Sequence, residues 1–516
     1  MTESGQQGRQ KYATLVVLLS LLVAERVLQH YLSGFANDDC YITFRYARNI
    51  VEGNGFVFNL GEPILGTSTP LWTVLLAIAG FVFGSANIPL SSVVLSIVMD
   101  IGVVTLLWKL GSKSERTTWI LAAVLYVGYP KSILIGSSGM ESSLVAILML
   151  GAFTLYLMDK GKTSASLLGL LLLTRADGAI YVAVMLGWMW IERKRFPLNE
   201  LLTIAIVAAP WLVFSQLYFG SVVPHSIMAK SVSYEHLFPA FDPVRVLAGY
   251  LPFEALRTSS VLVRLPIIAA MLIPVFAGLV LLWRQKSRFA LWPAFFIVYT
   301  LAFSFARVIM HDWYYIPGFL AYFITLSSLV YYLLSTMGMS RTTLKWWIKS
   351  LTVICFALYL IVISIRLGKN VGAPFEREYG DLARYFRDKS GSTILLEPIG
   401  FVGWLSGSYI YDPIGIVSLD VVSLRHSYAG SDQWWLDFVR ASLPDYIVLR
   451  SEEVKENKLF LGQGEDLFSS ESDKLWFKTN YREVNWPHRT AIHFSVFRKN
   501  ESSKPDFAFY EEGVLH

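Results

Sequence analysis

Charge is what this sequence has least of. Asp, Glu, Lys and Arg make up 16% of its 516 residues, against about 25% in soluble domains. Cysteine is scarcer still. Cys40 follows the first long apolar run and Cys355 lies inside a late one. No disulfide between them is expected, so cysteine usage says nothing about redox compartment. No Cys/His spacing of a zinc site occurs, and neither an internal repeat nor a low-complexity tract is visible. These absences exclude an ordinary soluble domain and a disulfide-stapled scaffold.

What is present is apolar and clustered. Hydrophobic residues reach 54%, and residues 12–29, 88–108, 201–219 and 351–365 carry at most two charges each. Runs of roughly 20 such residues match a bilayer core of about 30 Å, so several of them must span. Arg9 and Lys11 precede the first run as they would in a signal peptide. No small-x-small cleavage site follows it, and the run is read as an uncleaved anchor. The chain reads as a mainly α, polytopic integral membrane protein.

Lys and Arg collect in cytoplasmic loops. Five short basic clusters are available for that side: Lys109/Lys113/Arg116, Lys160/Lys162, Arg193/Lys194/Arg195, Arg284/Lys286/Arg288 and Arg341/Lys345/Lys349. Placing all of them inside predicts about eleven crossings, with residues 71–83 as an interfacial or re-entrant helix too short to span. Residues 33–69, 136–141, 220–256 and 307–315 then lie outside, together with a turn at 174–178. The last span ends near Ile365. Residues 1–368 form the membrane domain, and 369–516 form an extracytoplasmic α/β domain with β-type runs at 392–396, 446–449 and 491–497.

The same sorting puts an unusual set of polar residues on one side: Asp38, Asp39, Glu141, Arg175, Asp177, His225, Lys230, His311 and Asp312. Ionisable residues at the bilayer edge are costly, and gathering them from distant loops is how a membrane active site would be assembled. Asp38 and Asp39 are adjacent, so either one is protonated or a cation sits beside them. If a helix begins here, Asp39, Thr43 and Tyr46 share a face. A helix cap would account for one of the two acids. The oxygens of Asp38, Asp39, Glu141 and Asp312 suit Mg²⁺ or Ca²⁺, although no linear motif sets a metal geometry.

The first outer loop carries a family likeness. Its Asp38-Asp-Cys-Tyr-Ile-Thr-Phe-Arg-Tyr-Ala-Arg-Asn stretch continues into Gly53-Asn-Gly-Phe-Val-Phe-Asn and Gly61-Glu-Pro. It resembles the GT-C superfamily of membrane glycosyltransferases, and more narrowly the branch of terminal arabinofuranosyltransferases of the AftB type. Ser138-Gly-Met-Glu-Ser, Thr174-Arg-Ala-Asp-Gly and Pro224-His-Ser-Ile-Met-Ala-Lys resemble further elements of that branch. Cys40, Met140, Ala176 and His225 depart from its pattern without removing a charge. The likeness is densest over about the first 230 residues. His311-Asp-Trp-Tyr-Tyr and Tyr411-Asp-Pro-Ile-Gly are looser counterparts.

The resemblance implies a polyprenyl-phosphate sugar donor and a glycan or lipid acceptor, with no nucleic-acid partner. The reaction would invert the anomeric centre on the outer face of the plasma membrane. An acidic residue of the first outer loop would be the base, Asp38 being slightly favoured over Asp39. The leaving phosphate needs a cation, and an Arg fork suits it best. Arg175 is the first candidate and Lys230 the next, with Arg45 and His311 also available, and an Arg175–Asp177 pair is the structural alternative. Glu141, His225 and Asp312 complete the candidate substrate-binding set. No glycine-rich phosphate cradle stands at a strand–helix junction, which argues against a nucleotide-sugar donor. A flippase of lipid-linked sugars, a hexose-transferring enzyme and a non-catalytic subunit are the rival readings. Trp434 and Trp435 are expected either in a core or against a glycan.

Overall fold

The computed structural model describes residues 3–34, 37–110, 116–234, 238–251, 254–257, 259–336, 374–389, 391–428, 434–459, 466–485 and 494–501. The expected last span at 351–365, the basic cluster Arg341/Lys345/Lys349, Cys355 and the boundary at 368/369 lie outside them.

The apolar runs fold as helices. Helix α1 (Glu3–Ser33) holds a candidate span at Ala13–Leu32 and stops where Gly34 takes φ +57, a conformation that glycine reaches without strain. Helix α2 (Asp39–Val51) follows at once, short and buried along most of its length. Helix α3 (Pro70–Phe83) opens on proline and has 14 residues, which gives about 21 Å, short of a bilayer core. Helix α4 (Ile88–Leu110) is full length. Helices α5 (Arg116–Gly128) and α6 (Pro130–Gly136) are bent by 68° at Tyr129–Pro130, because proline cannot continue the ladder.

Helices α7 (Ser142–Leu157), α8 (Gly161–Thr174) and α9 (Gly178–Arg193) come next, with the expected turn between the last two. Helices α10 (Leu198–Phe219) and α11 (His225–Tyr234) are followed by long apolar helices at Val261–Arg284, Leu291–Phe305 and Ile316–Thr336. Six described helices are long and apolar enough to cross a membrane, or seven counting the bent pair as one. This is an integral membrane protein.

One charged network lies deep in the helical bundle. Arg26 Nε is 3.2 Å from Asp100 Oδ2, and the Tyr126 hydroxyl donates to Asp100 Oδ1 at 2.6 Å. Arg26 also reaches the Ser132 hydroxyl at 3.2 Å. The network joins α1, α4, α5 and α6 around the bend. A Cβ at Gly136 would stand 2.6 Å from Asp100 and 2.8 Å from Arg26, so this position needs glycine.

The C-terminal region is an α/β unit with a five-stranded sheet in the order β2-β1-β3-β5-β4. Its strands are β1 (Thr393–Leu395), β2 (Tyr409–Tyr411), β3 (Tyr446–Arg450), β4 (Tyr481–Val484) and β5 (Phe494–Lys499). β1 lies parallel to both β2 and β3, while β5 runs antiparallel to β3 and β4. Residues 491–493 of the third expected strand are outside the described set, and β2 and β4 went unforeseen. Trp434 and Trp435 are each 1% exposed in the core beneath the sheet. That settles them as packing residues and corrects the expectation of a glycan contact.

Replacing Asp100 with Leu leaves the buried Arg26 guanidinium with the longer 3.6 Å contact to Glu25 as its counter-charge, which costs on the order of 3 kcal/mol. The expected outcome is a clear drop in the melting temperature of the detergent-solubilised protein, followed by tryptophan fluorescence, largely restored by adding Arg26→Leu.

Candidate active site

Directly after the first span, α2 sets the two aspartates on different paths. Asp38 turns toward the C-terminal unit. Its Oδ2 accepts from the backbone N–H of Gly400 at 2.7 Å and its Oδ1 from that of Phe401 at 2.6 Å. It therefore caps the helix Gly400–Ser406 and makes no side-chain cap on its own helix. A Cβ on Gly400 would collide with Asp38. Burial pushes the Asp38 carboxyl up to about 8, against the pull of those two N–H groups.

Asp39 instead faces a cavity of ≈ 220 Å³. Its Oδ2 lies 3.2 Å from Lys230 Nζ on α11. Burial works to raise its carboxyl, but the charges of Lys230 and His311 outweigh it and hold the group below the usual carboxylate range. Thr43, one turn along α2, lines the same cavity. Thr43, Thr67 and Thr69 form a hydroxyl cluster, with Oγ1 separations of 3.4 and 3.1 Å.

The opposite wall comes from α6–α7 and α8–α9. Glu141 is 2% exposed. Its Oε1 is 3.5 Å from Arg175 Nε, and its Oε2 has no hydrogen-bond partner among the described residues. Burial pushes this carboxyl up, and Arg175 only partly offsets it. Arg175 is heavily engaged. It grips Asp177 through Nε and Nη2 at 2.9 and 2.8 Å and donates from Nη1 to the Trp313 carbonyl at 2.9 Å. Its guanidinium also lies 4.5 Å above the Tyr314 ring. The Tyr299 hydroxyl donates to Asp177 at 2.6 Å. Arg175, Asp177, Trp313 and Tyr314 all line the cavity.

Three expected site residues point elsewhere. Arg45 is buried, donating to the carbonyls of Gly403 at 3.0 Å and Ser408 at 2.7 Å with its guanidinium 4.3 Å over Phe58. It fastens the C-terminal unit and has no face on the cavity. Asp312 is held by Lys131 at 3.0 Å and Arg257 at 3.3 Å. The His225 backbone N–H donates to the Leu65 carbonyl at 2.7 Å, which fixes the start of α11, and its Nε2 is buried with no hydrogen-bond partner among the described residues. His311 stacks on Trp313 with ring centroids 4.5 Å apart and lines a second cavity beyond Asp39. Burial lowers its imidazole pKa.

Sequence reasoning passed over Thr67, Lys131 and Glu397, and met Asp412 only inside the Tyr411-Asp-Pro-Ile-Gly run. The Gly66-Thr-Ser-Thr-Pro run was the available signal for the first. Among the described residues no group of three or more His, Cys, Asp and Glu is arranged to hold a metal ion. The four candidate carboxylates meet different groups: Asp38 the N–H groups of Gly400 and Phe401, Asp39 Lys230, Glu141 Arg175, and Asp312 Lys131 and Arg257.

A bundle of apolar helices, a short helix opening on an aspartate after the first span and an α/β unit packed over both define a class. The fold is of the GT-C type. It is similar to ArnT from Cupriavidus metallidurans bound to undecaprenyl phosphate, with TM-score 0.56 and 10% identity over 94% of this chain and 98% of that one. The apo form of that protein gives TM-score 0.59 and 11% identity over 93% and 97%. The archaeal oligosaccharyltransferase AglB from Archaeoglobus fulgidus, in complex with an inhibitory peptide and a dolichol-phosphate, gives TM-score 0.56 and 12% identity over 87% and 70%.

By sequence, the chain is similar to the terminal beta-(1->2)-arabinofuranosyltransferase of Mycobacterium tuberculosis (strain ATCC 25618 / H37Rv), 26% identical over 218 residues. That match covers 38% of this chain and 35% of the relative's length. Residues 369–510 match a domain of unknown function (DUF8728).

The Arg45 contacts bind the two regions together, and charge-assisted hydrogen bonds of this kind contribute about 1.5–3 kcal/mol each. Arg45→Leu is expected to speed tryptic release of C-terminal fragments from the folded protein by about tenfold, read on gels over a time course.

Proposed function

We propose that the protein transfers a sugar from a polyprenyl-phosphate donor to a glycan or lipid hydroxyl, with Asp39 as the base. The observation that carries this reading is the Asp39–Lys230 pair on the cavity wall: a half-buried carboxylate kept ionised, beside a cation on the same wall that is available to a lipid phosphate. Asp39 accepts the acceptor's proton as its oxygen bonds to the anomeric carbon. The anomeric carbon–oxygen bond to phosphate breaks, and the polyprenyl phosphate departs with the electron pair. A single displacement inverts the centre.

Asp39 is preferred over Asp38 because both oxygens of Asp38 are occupied by backbone N–H groups and turned from the cavity. Lys230 is preferred over Arg175 as the phosphate cation because the Arg175 fork is spent on Asp177 and Trp313. A phosphate arriving at Lys230 would weaken its hold on Asp39 and so raise the basicity of that carboxylate. Glu141 Oε2 is the group placed to meet a hydroxyl of the donor sugar. The 26% identical relative supports arabinofuranose as that sugar, and the basic clusters support a site and C-terminal unit outside the plasma membrane.

Purified protein in nanodiscs, supplied with radiolabelled polyprenyl-phosphate arabinofuranose and separately with the mannose analogue, tests this. Label should leave the lipid only with the correct sugar. Asp39→Asn should slow transfer by about 10²–10⁴-fold, while Asp38→Asn retains measurable turnover. An unimpaired Asp39→Asn enzyme would remove the proposed base.

The pH profile supplies a separate check. Asp39 works deprotonated, so activity falls as pH drops through its pKa. Lys230→Gln removes a charge that holds that pKa down, and the acidic limb of kcat should move to higher pH.

A further inference from the structure

At the end of the bundle opposite the candidate site, three connections meet. α7 starts beside Glu141 and α9 beside Asp177, while the helix Leu291–Phe305 brings Phe303 to the same cavity from its other end. Each of the three has 15 or 16 residues, so their far ends lie about 22–24 Å away, across most of a bilayer core.

There Arg288 draws the connections together. Its Nε is 2.7 Å from Glu192 Oε1 at the end of α9, and its Nη1 is 3.0 Å from Asp159 Oδ1 between α7 and α8. Arg193 Nη1 is 2.5 Å from Glu200 Oε1 on α10, and a Cβ at Gly161 would run into that carboxylate. The two arginines thus take up Asp159, Glu192 and Glu200. Around them stand Lys160 and Lys162, Lys194 and Arg195, and Arg284 and Lys286, all exposed. Among the described residues, no acid comes within ion-pair distance of any of these cations.

Placement of a loop on the cytoplasmic side asks only that it be basic. It does not ask that basic loops converge, nor that the backbone be strained to carry the charge. Of the five non-glycine residues at positive φ among those described, three are Asp159 (φ 56), Lys194 (φ 52) and Lys286 (φ 53), one in each connection. Glycine takes that conformation freely and lysine does not. Two of these positions nevertheless keep an ammonium.

The rim indicates what the charge meets. Trp190 precedes the basic residues of α9, Trp283 precedes Arg284, and Phe196 follows Arg195; each is about half exposed. Trp190 and Phe196 pack edge to face at 5.7 Å. Exposed tryptophans at helix ends settle at the headgroup level of a membrane. The neighbouring cations then lie among lipid phosphates, and a basic cluster in that position attracts anionic headgroups.

We infer that this face binds the headgroups of anionic phospholipids in the leaflet opposite the candidate site, with Lys194, Arg195, Arg284 and Lys286 as the main contacts. The inference stands apart from the transferase reading.

The test uses the full-length protein, stripped of lipid in detergent and titrated with phosphatidylglycerol or phosphatidylcholine of the same acyl chains. Bound lipid is counted by native mass spectrometry. Phosphatidylglycerol should bind about tenfold more tightly or better. The combined variant Lys194→Gln, Arg195→Gln, Arg284→Gln and Lys286→Gln should weaken phosphatidylglycerol by about tenfold and leave phosphatidylcholine unchanged. A matched set on the C-terminal unit, Lys455→Gln, Lys458→Gln, Lys478→Gln and Arg482→Gln, should alter neither.

If the first set fails to fold, Lys194→Gly with Lys286→Gly removes two charges and gives both left-handed positions the residue they favour. The same selective loss, about threefold or more, is expected of it. No preference for phosphatidylglycerol, an equal loss in the C-terminal set, or full affinity in a folded variant of the face would each overturn the inference. So would a soluble Glu-rich peptide that binds the face as tightly as phosphatidylglycerol, which would assign it to an acidic protein segment.

Discussion

The site depends on how firmly α2 is gripped from above. Asp38 holds the N–H groups of Gly400 and Phe401, Arg45 holds the carbonyls of Gly403 and Ser408, and Arg48 donates to the Trp404 carbonyl at 2.8 Å. One short helix thus meets both ends of the helix Gly400–Ser406, acid to its amino end and bases to its carboxyl end, as the helix dipole favours. Tyr41 and Phe401 pack edge to face at 4.8 Å within the same seam. These contacts leave Asp39 one orientation. A general base must be held within hydrogen-bond reach of its proton, and for the proposed base Asp39 the C-terminal unit contributes that hold.

The same unit reaches the opposite partner. The Ser233 hydroxyl donates to the Ile414 carbonyl at 3.3 Å, and Arg425, whose guanidinium lies 4.3 Å over Trp434, donates to that same hydroxyl. Ser233 is one turn beyond Lys230 on α11. The loop after β2 therefore steadies the helix that brings the cation, while the helix after β1 steadies the acid. Neither Asp39 nor Lys230 is positioned by the bundle alone.

Much of this was legible in the sequence, for identifiable reasons. Long apolar runs announce spans because the bilayer demands continuous hydrophobicity, and a helix beginning at the aspartates was one of the readings the residues after the first span allowed. The meeting of Asp39, Glu141, Arg175 and Lys230 followed from sorting loops by side. What failed was direction. Arg45 and Asp39 lie about two turns apart on one helix, and only tertiary packing decides that one faces a cavity and the other a carbonyl pair. Arg175 carries the fork a phosphate would want, yet its near neighbour Asp177 takes it. β2 has three residues and β4 four, too few for alternation to show. Lys131, two residues after the half-buried bend residue Tyr129, gave no sign that it would clasp Asp312.

Two adjacent carboxylates thus part company through their surroundings, a general way of separating the roles of paired acids. Asp38 has backbone N–H groups and burial. Asp39 has a mobile side-chain cation and an open wall on each side. A backbone partner is fixed by a helix and is not exchanged during turnover, whereas a lysine ammonium is a compact charge on a flexible stem that an arriving anion can draw away. The acid whose partner can leave is the one able to change its proton affinity when a ligand binds. That difference, more than proximity to the membrane, separates the residue that holds the two regions together from the residue proposed as the base.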